Sequence, residues 1–172
     1  MKRPTQLLFA AVSLTMVLVA CGKKPEEAAA EAAIKAATGA DATVRHDGDA
    51  TTTSIKTKDG ELNIQSGEGL SLPADFPKDV YLPAGYQVKN VMNMGPMHSL
   101  VMDIPGQAPA VSKEITGKME AGGWKTAMSM QSGEGSMLSF TRDSDKRTAT
   151  YTMSPGQDGK LTLSVQQTAD AH

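Results

Sequence analysis

Residues 86–104 read YQVKNVMNMGPMHSLVMDI, and residues 109–124 read PAVSKEITGKMEAGGW. The first stretch is two alternating segments, Tyr86–Asn93 and Ser99–Ile104, around a Gly95-Pro96 turn, which predicts a β-hairpin. In the second, Val111, Ile115 and Met119 recur at helical spacing, Pro109 opens the run and Gly122-Gly123 ends it, which predicts a helix over 109–121. Alternation then returns, with Trp124, Thr126, Met128 and Met130 expected on the inward side of one strand, followed by Leu138 and Phe140, then Ala149, Tyr151 and Met153, and finally Leu161, Leu163 and Val165. Gly133-Glu134-Gly135, Asp143-Ser144-Asp145 and Pro155–Gly159 supply the turns between them. The expected fold over 86–168 is α+β, a curved antiparallel sheet with one packed helix in the order β-β-α-β-β-β-β.

Upstream, residues 70–85 (LSLPADFPKDVYLPAG) are a Pro-punctuated connector, because Pro73, Pro77 and Pro83 bar a regular helix. Residues 42–69 read as a small β-meander turning at Asp47-Gly48 and Asp59-Gly60. Two-residue loops there set Ile55 opposite Ile64 and Val44 opposite Thr51, with Ile55, Thr57, Leu62 and Ile64 on one face. That thin apolar face is expected to pack on the following domain. Residues 21–41 are Ala-rich, with Ile34 as the one large apolar residue, and read as a partly helical tether. Residues 169–172 form a tail. Gln-Ser-Gly-Glu-Gly occurs at 65–69 and again at 131–135, and reads as reused turn chemistry.

The N-terminus carries the address. Met1-Lys2-Arg3 is basic, and residues 4–20 are uncharged and largely apolar, the pattern of a secretory signal peptide. It ends in Leu18-Val19-Ala20-Cys21, which resembles the lipobox of bacterial lipoproteins. That resemblance implies cleavage before Cys21 and diacylation of its thiol, so the bilayer is the first expected partner. Two or more acyl chains hold a protein firmly where one does not. Gly22, where inner-membrane lipoproteins commonly carry Asp, points to the periplasmic face of the outer membrane. A second resemblance rests on Leu72-Pro73-Ala74-Asp75-Phe76-Pro77-Lys78-Asp79-Val80, Leu82-Pro83-Ala84-Gly85 and the helix-ending Gly122-Gly123-Trp124. These look like a recurring class of uncharacterised bacterial envelope lipoproteins, a resemblance spanning roughly residues 43–167. It implies fold and location and brings no catalytic residues. The chain departs from the class in its Leu-Pro after Tyr81 and in its methionine content.

Composition narrows the function. With 17 Lys+Arg against 19 Asp+Glu among 172 residues, there is no surplus of positive charge for nucleic acid. One cysteine and three histidines exclude disulfide frameworks and Cys-based zinc sites. No nucleophile elbow, Walker loop, zinc-protease helix or EF-hand loop occurs, so no catalytic residues are assigned and a non-enzymatic role is expected. Every methionine beyond Met16 falls between residues 92 and 153. Met92, Met94, Met97 and His98 cluster at the hairpin tip, and thioethers with an imidazole suit Cu(I). The competing reading is that methionine fills the core in place of missing aromatics, as Met102, Met119, Met128 and Met130 would at inward positions. Two functions therefore stand beside each other: an envelope module that binds a partner protein, and a copper-binding protein.

Overall fold

The computed structural model describes residues 24–58 and 60–169. Cys21 and the signal segment lie outside the described residues, as does the tip of the tail. The elements are α1 (Pro25–Thr38), β1 (Ala42–Asp47), β2 (Ala50–Thr57), β3 (Gly60–Leu70), β4 (Gln87–Met94), β5 (Met97–Ile104), α2 (Ala108–Ala121), β6 (Lys125–Ser132), β7 (Gly135–Arg142), β8 (Arg147–Pro155) and β9 (Leu161–Ala169). The strands form a single antiparallel sheet ordered β1-β2-β3-β4-β5-β9-β8-β7-β6. From β5 the chain crosses through α2 to the far edge at β6, and returns by hairpins so that β9, the last strand, fills the centre between β5 and β8. With two helices and one sheet among the described residues, the fold is α+β.

Alternation along each strand divides the sheet into two faces. Val91, Leu100, Met102, Leu138, Phe140, Tyr151, Leu163 and Val165 point to one side and are buried. Val111, Ile115 and Met119 of α2, with Phe76 and Val80 of the connector, close that side into one core. α2 forms as expected, with a Pro in its first turn and Gly123 in the left-handed region at φ +82° just past its end. The other face is buried at Val44 on β1, but among the described residues it carries no apolar core of this kind over its middle strands. Its middle is lined by Thr150, Thr152 and Ser154 of β8, which stand opposite Gln166, Ser164 and Thr162 of β9.

The meander departs from expectation in two ways. It extends the sheet instead of packing on it, because β3 pairs directly with β4. Its registers are also slid by two residues: Val44 faces Thr53 and Ile55 faces Leu62. A slip of two keeps every side chain on its expected face, so Ile55, Thr57, Leu62 and Ile64 still share one. The first Gln-Ser-Gly-Glu-Gly is no turn: it sits within β3 where the register shifts between Ser66 and Leu70. A Cβ on Gly67 would lie 2.5 Å from the carbonyl oxygen of Asp49, so only glycine fits there. The second copy does make a hairpin turn, with Ser132 opposite Gly135.

The tether is the larger correction. Residues 25–38 form a full helix that packs on β1. Val44 of β1 is buried, and the strand's edge is met by polar groups. β1 is an edge strand with backbone N–H groups directed outward, and the Glu27 carboxylate accepts from His46 N at 2.8 Å while Glu31 accepts from Val44 N at 2.9 Å. Residues i and i+4 of the helix thus meet residues j and j−2 of the strand, and the exposed edge is closed. Glu27 also accepts from Lys24 N, capping its own helix, and Lys24 Nζ donates to the carbonyl of His46.

β6 supplies the third correction. The register shifts between Thr126 and Met128, so that Ala127 is an extra residue. Beyond it Ser129 stands opposite the buried Leu138, and Met128 and Met130 are turned to the outer face. The expected inward stripe of Trp124, Thr126, Met128 and Met130 is broken by one bulge.

Candidate functional site

Two places bring together residues singled out by the sequence. The first lies beneath the connector. Trp124 follows the Gly122-Gly123 stop, its backbone N–H donating to the Met119 carbonyl at 3.1 Å, so that the ring turns back under the helix. Its Nε1 donates to the carbonyl of Asp79 at 3.2 Å, and the guanidinium groups of Arg142 and Arg147 lie over its ring at 4.9 and 5.3 Å from the centroid. The Asp79 carboxylate in turn pairs with both arginines, Arg142 Nη1 at 2.5 Å. Asp145 accepts from the same two side chains. Nearby, the Tyr151 hydroxyl donates to the Tyr81 carbonyl at 2.9 Å and contacts Met119 Sδ at 3.2 Å. Burial raises the Tyr151 pKa far above the ordinary phenol value. The two motifs that carry the envelope-lipoprotein resemblance, the Asp79 segment and the Gly-Gly-Trp, therefore meet in space. Their arrangement is a lock: every charge is paired, and the connector is fastened across the end of α2.

The second place is the outer face of the β4–β5 hairpin. Met94 stands directly opposite Met97, and Met92 lies two residues back along β4, so these three thioethers share one face. His98 does not join them. It is the neighbour of Met97 on the same strand and points to the other side, where its ring packs edge-on against Phe76 at 6.2 Å and its Nδ1 is 3.0 Å from Asn93 Oδ1. The expected Met/His set thus divides into a thioether trio and a histidine behind the sheet. Of the methionines expected as core filler, Met102 and Met119 are fully buried, whereas Met128 and Met130 are among the most exposed apolar side chains.

Sequence reading missed what these outward methionines make. Met130 is directly opposite Met137 on β7, and Met128 lies two residues back along β6. The bulge at Ala127 hides this from any alternation count. Among the described residues, no group of three His, Cys, Asp or Glu side chains is placed to hold a metal ion. A cleft of about 430 Å³ opens where the start of α2 meets the 133–134 turn and the 156–160 loop; its charged side chains are Glu134 and Lys160, and Lys160 donates to Gln87. No described helix is long and apolar enough to cross a membrane. Compared with protein-family models, curated proteins and solved structures, the chain shows no match.

Proposed function

We propose that this chain is a lipid-anchored, non-catalytic binding protein of the cell envelope, attached through Cys21 and held close against the periplasmic face of the outer membrane. The observation that carries the reading is the seating of α1. The helix starts at Pro25, four residues after Cys21, and is fastened to β1 by Glu27 and Glu31. Four residues reach at most about 14 Å. An acylated Cys21 would therefore leave the β1–β2 corner near the headgroups rather than at the end of a long tether. The pairing of Asp79 with Arg142 and Arg147, and of Tyr81 with Glu114, supports a structural use of these charges. The test is mass spectrometry and headgroup relaxation on the full chain purified from membranes. A chain beginning at residue 21 with a diacylglyceryl adduct is expected, with a spin label at Asp49 relaxed by headgroup gadolinium far more than one at Lys58. An unmodified chain beginning at Met1 overturns the anchor, and equal relaxation overturns the close seating.

A second reading concerns the ligand. The shared face of Met92, Met94 and Met97 supports binding of Cu(I), a soft ion suited to thioethers. Because His98 lies behind the sheet, His98→Ala is expected to leave Cu(I) affinity unchanged within twofold. Met94→Leu, which keeps the volume and removes the sulfur, is expected to lower it at least tenfold. The affinity is also expected to stay flat between pH 5 and 8, since thioethers bind no proton whereas an imidazole must lose one before ligating. A loss of affinity in His98→Ala would place the site on the other face.

A further inference from the structure

The outer face carries the same thioether arrangement twice. On β4 and β5, Met92 and Met94 alternate along one strand and Met97 stands across from the second of them. On β6 and β7, Met128 and Met130 alternate along one strand and Met137 stands across from the second. The two hairpins are not adjacent, since β9 and β8 lie between them. We propose that Met128, Met130 and Met137 form a second thioether site for a soft monovalent cation, Cu(I) or Ag(I). The proposal rests on the thioether reading of the β4–β5 hairpin for its chemistry, but the two sites stand or fall separately.

Three observations carry it. The side chains are exposed by 47%, 58% and 39%, on a strand whose every residue is exposed. Folded proteins blunt their edge strands, by a bulge as in β6 or by a cover such as α1 over β1 at the opposite edge. Here the edge carries two bare methionines, and a bulge is what turns them outward. The spacing also suits a trigonal ligand set. Cross-strand Cβ atoms in an antiparallel pair lie about 5 Å apart, and alternate residues on one strand about 6.7 Å apart. Flexible methionine side chains close such a triangle around one ion. Finally, the neighbours favour a soft ion over a hard one. The residues facing the trio are the hydroxyls Ser139, across from Met128, and Thr152, across from Met137. The nearest cation along β6, Lys125, is held by Asp143 at 2.5 Å. Hydroxyls without carboxylate, thiolate or imidazole offer little to Zn(II), Mg(II) or Ca(II).

The test is an anaerobic titration of the full chain in detergent micelles with Cu(I), read by methionine methyl NMR so that metal taken up elsewhere does not count. The methyls of Met128, Met130 and Met137 are expected to shift together and saturate at one equivalent of their own. They should do so equally in a Met92→Leu/Met94→Leu/Met97→Leu variant, and the effect should vanish in Met128→Leu/Met130→Leu/Met137→Leu. These Met→Leu changes, at exposed or half-buried positions, keep volume and fold. If only the β4–β5 methyls shift, the second site is overturned and the first stands. If only the β6–β7 methyls shift, the second site stands and the first reading falls. Still methyls at both hairpins overturn both, and an equal response to Zn(II) overturns the soft-ion assignment.

Discussion

Trp124→Ala is expected to lower the free energy of unfolding by about 3–5 kcal/mol, the usual cost of deleting a large buried aromatic. Trp124 is 2% exposed and joins three separate parts of the chain: the end of α2, the Asp79 segment and the β7–β8 hairpin. Removing the ring leaves a cavity, an unpaired Asp79 carbonyl and two guanidinium groups without the surface they lie over. Trp124→Phe should cost less, because it keeps most of the apolar contact and gives up the N–H. In a double-mutant cycle with Asp79→Ala, the two changes should be coupled by about 0.5–3 kcal/mol, as expected for residues in one network. Denaturant unfolding monitored by circular dichroism measures all three. A loss below 1 kcal/mol for Trp124→Ala would mean that the connector is not fastened through this ring.

Glu27→Ala/Glu31→Ala is expected to release α1 and reopen the β1 edge. The amides of Val44 and His46 lose their acceptors in this variant, so their hydrogen exchange should accelerate by orders of magnitude while the amides of β9 stay protected. A bare edge next to the partly buried Ile55, Leu62 and Ile64 should also make the protein self-associate with rising concentration, which light scattering would detect. Acidification should act the same way on the wild type. The backbone N–H of His46, with help from Lys24, holds the Glu27 carboxyl below its usual pKa. A depressed carboxyl stabilises the folded clasp fully above the ordinary Glu value of about 4.3 and loses that contribution as pH falls through the lower folded value. The clasp should therefore hold at neutral pH and loosen below about pH 4. Val44 and His46 amides that stay protected in the double variant would show that the helix is held by something other than these carboxylates.

Part of this molecule was legible from residue order. The hairpin at Gly95-Pro96, the helix with Val111, Ile115 and Met119, and the alternation of Leu138 with Phe140 all appear where periodicity places them. The separation of His98 from Met97 is also legible, since neighbours on a strand point to opposite faces; residue type alone groups them in one cluster. The register of the meander was not. Turn chemistry located both bends, but a two-residue slide leaves the pattern of faces unchanged and so leaves no trace in the hydrophobic pattern. The partial helicity of 25–38 was legible, but its seating on β1 escaped, because hydrophobic periodicity finds the partners of helices with broad apolar faces. This one is held by two carboxylates on an edge strand.

By itself the sequence determined most of the local states: which segments extend, which coil, where the chain turns apart from the first Gln-Ser-Gly-Glu-Gly, and which residues of each regular strand share a side. Those depend on near neighbours and on the two fixed periods of backbone geometry. Only the tertiary structure decided that β9 closes the sheet at its centre, that Asp79 meets Trp124 across 45 residues, and that α1 seals one edge. It also decided that a single extra residue at Ala127 turns Met128 and Met130 away from the core and into line with Met137. Such outcomes depend on which distant backbone groups find partners, and composition and spacing carry no record of that choice.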